Sequence, residues 1–403
     1  MTIRHLYPAV EPSLNLDFAN SKKLDSRITF TRGSTATYTD ESGIIRTAAA
    51  NEARFDHDSD GNSLGLLIEE SRTNSMSYSN EFSTNWSFGG AGVGVLTPNA
   101  AIAPDGTWSA SKLAAEETHW LTRGTPLSVA SNTFVKFNLS TGTFDSVIAT
   151  SSATYGITKA GNGWYRVHLT VSNITFSVYA KAGELSFIAI QFQGSSAYIY
   201  SADGGAGNTT QGIYIWGAQL ETGSFPTSYI PTTSSTVTRS ADVASMTGTN
   251  FSSWYNQNEG TLYQDCTTRV PATALNPDVG VGAIMTASGN VQLGFYQVLN
   301  TSNLNAVVYQ TATAYSANLS LSGAWTQNVP SKAALAYKQN SFAASADGAT
   351  PQTDSSGIVP IPNALDIGQL STFPSNHIGA GTFARLTYYP VRLPDATLQA
   401  LTL

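Results

Sequence analysis

NITFSVYAKAG, residues 173–183, alternates apolar and polar side chains along its length. Ile174, Phe176 and Val178 fall on one face of this stretch, and hydroxyl residues fall between them. Successive side chains of a β-strand point to opposite faces of a sheet, so a repeat of two residues is the pattern of a strand. The stretch therefore predicts a β-strand with an apolar and a polar face.

The same pattern recurs outward from this stretch in both directions. Short runs rich in β-branched and aromatic residues, which favour strands, are SFIAIQFQ (186–193), GIYIWGAQL (212–220) and ARLTYYPV (384–391). Gly-rich turn clusters such as Asp347-Gly348 separate them, and the only predicted helix is a short one in LPDATLQAL (393–401). Many short strands with little helix predict an all-β protein built from two antiparallel β-sandwiches of the jelly-roll kind.

Changes in composition suggest where these domains begin and end. We expect an N-terminal β-rich attachment segment at 1–78, a first sandwich at 79–238 and a second sandwich at 250–403. Residues 239–249 are predicted to be a linker, because the sequence just before them is polar and contains Pro231.

The overall composition excludes several classes of function. Only 12% of the 403 residues are charged, against about 25% in an average protein, and the net charge is −7. No cluster of Lys and Arg is present to bind nucleic acid, and no apolar run is long enough to span a membrane. The start MTIRHLYPAV lacks the apolar segment of a secretory signal, and the single cysteine, Cys266, cannot form an intrachain disulfide. No motif implies a cofactor.

An acidic run raises the question of a metal site. Asp56, Asp58 and Asp60 match the D-x-D-x-D-G opening of a calcium-binding loop, whose closely spaced carboxylates supply oxygen ligands. The twelfth position of such a loop should be a glutamate, and here it is Leu67. We therefore favour a tight polar turn over a metal site at this run.

No group of residues in the sequence predicts catalysis. Residues 61–65 match G-x-S-x-G, but that motif acts on a turn between a strand and a helix, and the surrounding sequence is all-β. The five histidines lack metal-binding or catalytic spacing. The adjacent carboxylates of Glu69 and Glu70 would point to opposite faces of a strand. The chain is therefore predicted not to be an enzyme.

Aromatic residues provide the best candidates for binding. Trp86, Trp108 and Trp120 lie in polar surroundings and are the candidates for an exposed platform on which a sugar ring stacks. Trp164 and Trp216 lie in alternating strands and are predicted to pack in the core.

Three stretches resemble a family of bacteriophage and prophage virion proteins, described as head spike fibres, tail fibres or tail proteins with lectin-like sandwich modules. They begin with SLNLDFANSKKLDSRITFTRG (13–33), GIYIWGAQLETGSFPTSYIP (212–231) and FARLTYYPVRLPDATLQALT (383–402). The last is similar to the closing strand and helical turn of a concanavalin-like (laminin-G-like) sandwich. The motifs are structural, and no catalytic residue can be transferred with them.

The resemblance implies a virion structural protein, a spike, fibre or decoration subunit that assembles the particle and attaches it to a host surface. It implies a homo-oligomer, with a trimer favoured, whose partners are capsid or tail proteins and a host-surface glycan. The implied location is the virion surface, reached from the host cytoplasm during assembly. One alternative is a glycan-binding adhesin module, and a less favoured one is an enzyme that degrades capsule.

Overall fold

A computed structural model shows a chain that is almost entirely antiparallel β-sheet, as the sequence predicts. The longest helix in the described part of the chain has seven residues, far fewer than a helix that spans a bilayer requires. The structure describes residues 8–84, 86–90, 94–115, 119–148, 153–202, 209–272, 281–287, 291–297, 301–311, 314–370, 377–378 and 380–403.

The N-terminal part contains short strands and one helical turn. The helical turn is α1 (Phe18–Ser21), which is capped by the Asp17 side chain. The strands are β1 (Leu14–Asp17), β2 (Thr29–Thr31), β3 (Ala36–Thr39), β4 (Ile45–Ala48), β5 (Arg54–His57), β6 (Ser63–Ile68) and β7 (Arg72–Asn74).

The middle of the chain forms the first sandwich. Its strands are β8 (Ser87–Gly90), β9 (Gly94–Ala101), β10 (Ala110–Ala115), β11 (His119–Asn138), β12 (Thr143–Ile148), β13 (Thr154–Gly161), β14 (Trp164–Val171), β15 (Ile174–Lys181), β16 (Phe187–Ser201) and β17 (Ile213–Thr222). A large sheet has the order β13-β14-β15-β17-β10-β9, and a small sheet has the order β12-β11-β16 with β8 beside β11. Apolar side chains of both sheets, including Phe176, Val135 and Ile190, form one buried cluster.

The predicted strand at 173–183 is β15, and both of its faces are covered. Phe176 and Val178 enter the core between the sheets. Thr175 and Ser177 on the opposite face are also buried, because Thr175 Oγ1 donates to the carbonyl of Gly223 at 2.8 Å and Ser177 Oγ accepts from an arginine. The Thr175 hydroxyl thus satisfies a backbone carbonyl of the segment that covers the sheet, and the Ser177 hydroxyl satisfies an arginine side chain.

The C-terminal part supplies most of the second sandwich. Its elements, with β18 (Val237–Arg239) preceding them, are β19 (Val243–Thr247), α2 (Thr249–Ser252), β20 (Glu259–Thr268), β21 (Val281–Ala287), β22 (Val291–Gln297), β23 (Leu304–Thr311), β24 (Ala314–Leu321), β25 (Pro330–Lys338), β26 (Ser341–Ala346), β27 (Gln352–Asp354), β28 (Ala364–Ile367), β29 (Gln369–Leu370), β30 (His377–Ile378), β31 (Gly381–Tyr389) and α3 (Asp395–Leu401). The helix α3 is the one that the sequence predicts, and it packs Leu398 on the outer face of a sheet.

The N-terminal strands complete this second sandwich. One sheet has the order β27-β26-β25-β20-β31-β6-β5, with β1 also paired to β31, and the other has the order β2-β19-β28-β21-β22-β23-β24. Leu14 and Leu16 of β1 lie in the same buried cluster as Leu386 of β31. Within the fold, the strands of segment 1–78 are therefore divided mainly between the sheets of the second sandwich.

The predicted linker at 239–249 is also part of the folded structure. β19 lies inside it and pairs with β2 on one side and β28 on the other. Arg239 and Asp242 in this segment are buried and form internal ion pairs, with Glu69 and Arg32 respectively. The linker prediction is wrong for this reason.

Buried ion pairs join the N-terminal strands to this segment. Asp242 accepts from Arg32 at 2.9 Å and also from Arg54, and none of these three side chains is exposed. Arg54 also reaches Glu69 at 2.8 Å, and Arg269 of the second sandwich lies 3.2 Å from the same carboxylate. Because burying a charge is costly unless it is paired, this network requires all of its members together.

Candidate functional site

Aromatic side chains line the outer face of the small sheet of the first sandwich. Leu121, Val135 and Ile199 of β11 and β16 point into the core. The residues beside them in sequence point the other way, since side chains alternate along a strand. Four half-buried rings therefore share the outer face, and they belong to Trp120, Phe134, Tyr198 and Tyr200.

A bend in β16 makes this face concave. The Tyr200 hydroxyl donates to the side-chain amide oxygen Oε1 of Gln191, although the two residues lie nine positions apart on one strand. Nine extended residues would span about 30 Å, so the strand must bend between them. Gly194, with φ at +55°, lies within this interval and adopts a conformation that side chains disfavour. The face that carries the rings is the inner side of the bend.

The rings form one connected cluster, here called the aromatic groove. The Trp120 ring lies 5.8 Å from that of Tyr200 and 6.1 Å from that of Tyr198. The Phe134 ring lies 5.6 Å from that of Tyr200. The amide of Gln191 donates to Asn132, so polar groups border the rings. Burial raises the pKa of Tyr200 to about 12, which keeps its hydroxyl protonated as a donor at neutral pH.

Two donors in the groove are free to bind a ligand. In the described part of the chain, the Trp120 indole N–H and the Tyr198 hydroxyl have no hydrogen-bond partner, and both side chains are partly exposed. Gly89 of β8 lies opposite Trp120 of β11 in the antiparallel strand pair. A Cβ atom at Gly89 would lie 2.5 Å from the indole nitrogen of Trp120. The indole therefore lies over a position that has no side chain.

The structure places the three candidate tryptophans in different environments. Trp120 lies in the aromatic groove. Trp86 is 7% exposed and packs against Phe82, with ring centroids 5.1 Å apart, so it belongs to the core and offers no platform. Trp108 is 63% exposed and has no ring partner among the described residues. Trp164 and Trp216 are buried, as the alternating pattern predicts.

Asp58 and Asp60 lie at the turn between β5 and β6, whereas Asp56 lies within β5. Asp58 accepts hydrogen bonds from the backbone N–H groups of Asp60 and Asn62, and the N–H of Gly61 donates to its carbonyl. Asp56 points elsewhere and pairs with Arg269. Asp60 is exposed. Within the described residues, no group of three or more His, Cys, Asp or Glu side chains is placed to hold a metal ion.

A cavity of about 630 Å³ lies where the N-terminal strands meet both sandwiches. β3 and β5 contribute Thr39 and His57, and β13 and β14 contribute Lys159, Arg166 and His168. The other walls come from the loop at 225–229 and from the second sandwich. Burial, with a smaller effect of the Arg166 charge, lowers the pKa of His168 to about 3, so its imidazole is neutral at physiological pH.

Most of these residues carry no signal in the sequence that marks them as part of a site. Tyr198 and Tyr200 alternate in AYIYS (197–201), which indicates that they share a face but not which face is open. Arg166 and His168 alternate in the same way in YRVHL (165–169), and that repeat was the signal for a polar face on β14.

No model of a known protein family matches this chain. No curated protein matches it either. Some solved structures are similar to parts of it. The carbohydrate-binding CBM40 domain of the Ruminococcus gnavus IT-sialidase, bound to α2,3-sialyllactose, matches with 15% identity and a TM-score of 0.32, covering 38% of this chain and 86% of that one.

Two further solved structures cover more of the chain. Domains LG4-5 of the mouse laminin α1 chain match with 8% identity and a TM-score of 0.23, covering 65% of this chain and 84% of that one. The Trypanosoma rangeli sialidase matches with 10% identity and a TM-score of 0.29, covering 73% of this chain and 61% of that one. The fold class of this chain follows from its own antiparallel sheets.

Proposed function

We propose that this chain is a glycan-binding protein and that the aromatic groove holds a neutral oligosaccharide. The observation that carries this proposal is the cluster of Trp120, Phe134, Tyr198 and Tyr200 on a concave sheet face with two unpartnered donors. Tyr and Trp combine a large apolar face with a polar tip. A hexose has the complementary form, with an apolar C–H face and a rim of hydroxyl groups.

The charges around the groove favour a neutral ligand. The ammonium group of Lys136 lies 4.5 Å from the centre of the Phe187 ring and 3.9 Å from the carboxylate of Asp145. Its charge therefore already interacts with groups of the protein. Among the described residues, the neutral amides of Gln191 and Asn132 border the rings. A binding surface of aromatic rings with a few placed polar groups fits the usual character of ligand sites.

Calorimetric titration with neutral hexose oligosaccharides tests this proposal. We expect Trp120→Ala to weaken binding about tenfold or more, which is about 1.4 kcal/mol. Trp108→Ala is the matched control, because Trp108 is exposed outside the groove, and it should bind as the wild type does. Absence of binding across the panel, or equal losses in both variants, would refute the proposal.

We further propose that the protein binds the glycan without cleaving it. The described residues of the groove provide aromatic, amide and hydroxyl groups, whereas glycosidases act through a pair of carboxyl groups. Incubation with a bound oligosaccharide should release no reducing ends. A steady release that Trp120→Ala abolishes would instead establish an enzyme.

The resemblance of three stretches to phage virion proteins supports a place for this protein on a virion, as a spike, fibre or decoration subunit. The first and third stretches contain β1 and β31, which pair with each other in the second sandwich, and the second stretch begins with β17 of the first sandwich. Antibody labelling of purified particles tests the location. Light scattering after size-exclusion chromatography tests the expected trimer, which a stable monomer would contradict.

A further inference from the structure

The outer face of the small sheet continues past the aromatic groove to a pair of charged side chains. Lys136 follows Phe134 by two residues on β11, so both side chains lie on this face, about 7 Å apart along the strand. Val135 and Phe137 beside them point into the core. Lys136 is therefore the next side chain beyond the ring of Phe134 on the face that carries the groove.

A β-bulge brings a carboxylate beside this lysine. Ser146 of β12 lies opposite Lys136 of β11. The neighbouring pair joins Phe144 to Phe137, so one residue of β12, Asp145, is left between the two pairs. Bulges of this kind redirect a side chain at a sheet edge, and β12 lies at the edge of the small sheet among the described strands. The Asp145 carboxylate consequently lies 3.9 Å from the Lys136 ammonium group.

The protein leaves the hydrogen-bonding capacity of both charged groups unused. A separation of 3.9 Å makes an ion pair but is too long for a hydrogen bond. The Phe187 ring, 4.5 Å from the ammonium group, holds Lys136 by a cation–π contact. Among the described residues, neither Lys136 nor Asp145 has a side-chain hydrogen-bond partner. Their side chains are 22% and 45% exposed, so a ligand reaches both of them from solvent.

Two adjacent hydroxyl groups of a sugar complement this pair. A hydroxyl both donates and accepts hydrogen bonds, so one of them donates to the Asp145 carboxylate while its neighbour accepts from Lys136. Hydrogen bonds to charged groups are stronger than those between neutral groups. Because the two charges cancel, the pair suits a neutral diol better than an anion or a cation.

We propose that Lys136, Asp145 and Phe187 form a second binding position, here called the charged subsite, for the sugar unit next to the one held by the aromatic groove. This inference rests on the proposed function of the groove and adds the class of ligand. The ligand is a neutral oligosaccharide of two or more units, with a pair of adjacent hydroxyl groups on the unit beyond the rings. The spacing of about 7 Å from Phe134 to Lys136 is comparable to the length of one hexose unit.

Titration calorimetry with neutral tetrasaccharides of glucose, galactose or mannose tests the charged subsite, and the three monosaccharides are the controls for chain length. We expect a bound tetrasaccharide to have at least tenfold higher affinity than its monosaccharide. Asp145→Ala should weaken tetrasaccharide binding about tenfold and leave monosaccharide binding unchanged. Trp120→Ala should weaken the binding of both, because both use the rings.

An ion pair of similar exposure supplies the matched control. Lys112 and Glu184 lie 2.8 Å apart with side chains 20% and 48% exposed, and Lys112 belongs to the large sheet. Glu184→Ala should therefore bind the tetrasaccharide as the wild type does. The urea midpoint of each variant shows whether it is folded.

The outcomes separate the charged subsite from the groove. Wild-type tetrasaccharide affinity in Asp145→Ala, together with weakened binding in Trp120→Ala, would overturn the charged subsite and leave the groove as the binding site. Equal losses of monosaccharide and tetrasaccharide affinity in Asp145→Ala would also overturn it, since the aspartate would then act on the unit at the rings. Absence of binding for every tetrasaccharide would overturn both proposals.

Discussion

Arg32 donates to Asp242 at 2.9 Å, with both side chains fully buried although 210 residues separate them in the sequence. The carboxylate of Asp242 also accepts a hydrogen bond from Arg54. The backbone N–H of Asp242 donates to the backbone carbonyl of Glu69 at 2.9 Å. This single aspartate therefore holds two buried cations and connects the N-terminal strands to the segment that leads into the second sandwich.

Asp242→Asn should destabilise the protein by about 3–5 kcal/mol, because it leaves two buried guanidinium groups with too little negative charge. The measurement is the urea concentration at the midpoint of unfolding. Glu41→Gln is the control, since Glu41 pairs with Lys22 at an exposed position where ion pairs contribute little. A midpoint for Asp242→Asn equal to that of the wild type would show that the network does not hold the fold together.

Acid should destabilise the protein in two pH ranges. The folded state lowers the pKa of His168 to about 3, through burial and the charge of Arg166, whereas an unfolded histidine has a pKa of about 6.5. Between these values the unfolded chain binds a proton that the folded chain does not, so stability falls as the pH drops below about 6.5.

Burial alone would raise the pKa of Glu69, but Arg239, Arg54 and Arg269 lower it well below its usual value. The contribution of the ionised Glu69 carboxylate to the free energy of unfolding is therefore complete above about pH 4.5, and it is lost as the pH falls further.

The two ranges can be separated by substitution. His168→Gln cannot take up a proton, so its urea midpoint should decline less than that of the wild type between pH 7.5 and 5.5. One proton taken up on unfolding corresponds to a slope of up to about 1.4 kcal/mol per pH unit. Identical declines in the two proteins would exclude His168 as the source.

Gly89→Ala should weaken glycan binding without removing any aromatic ring. The added Cβ would lie 2.5 Å from the indole nitrogen of Trp120 and would force the ring to move. We expect a loss of about threefold to tenfold in affinity, measured by the same titration. Gly124→Ala is the matched control, because Gly124 lies on the same strand as Trp120 and the nearest atom to its Cβ is 3.9 Å away. Equal affinities for Gly89→Ala and the wild type would place the ligand away from Trp120.

Local alternation in the sequence predicts most of the strands, because the repeat of two residues is a property of each strand by itself. It does not predict which strands pair, and Leu14 pairs with Tyr388 at the far end of the chain. Arg239 and Asp242 look like the polar residues of a linker, and only their buried partners show that they are internal. Of the rings in the aromatic groove, only Trp120 was a candidate from the sequence. Tyr198 lies beside it because β11 pairs with β16, and local alternation does not predict that pairing.

Leu16→Ala tests whether β1 is a structural strand of the second sandwich. Leu16 is buried in the core cluster and pairs with Leu386 of β31, so its truncation should cost about 2–5 kcal/mol of unfolding free energy, measured by urea denaturation. Asn15→Ala is the control on the same strand, because Asn15 is exposed and makes one side-chain hydrogen bond, at 3.2 Å, to Thr387. Its cost should stay within about 1 kcal/mol. Similar small costs for both substitutions would mean that the second sandwich is stable without β1, as a separate N-terminal attachment segment requires.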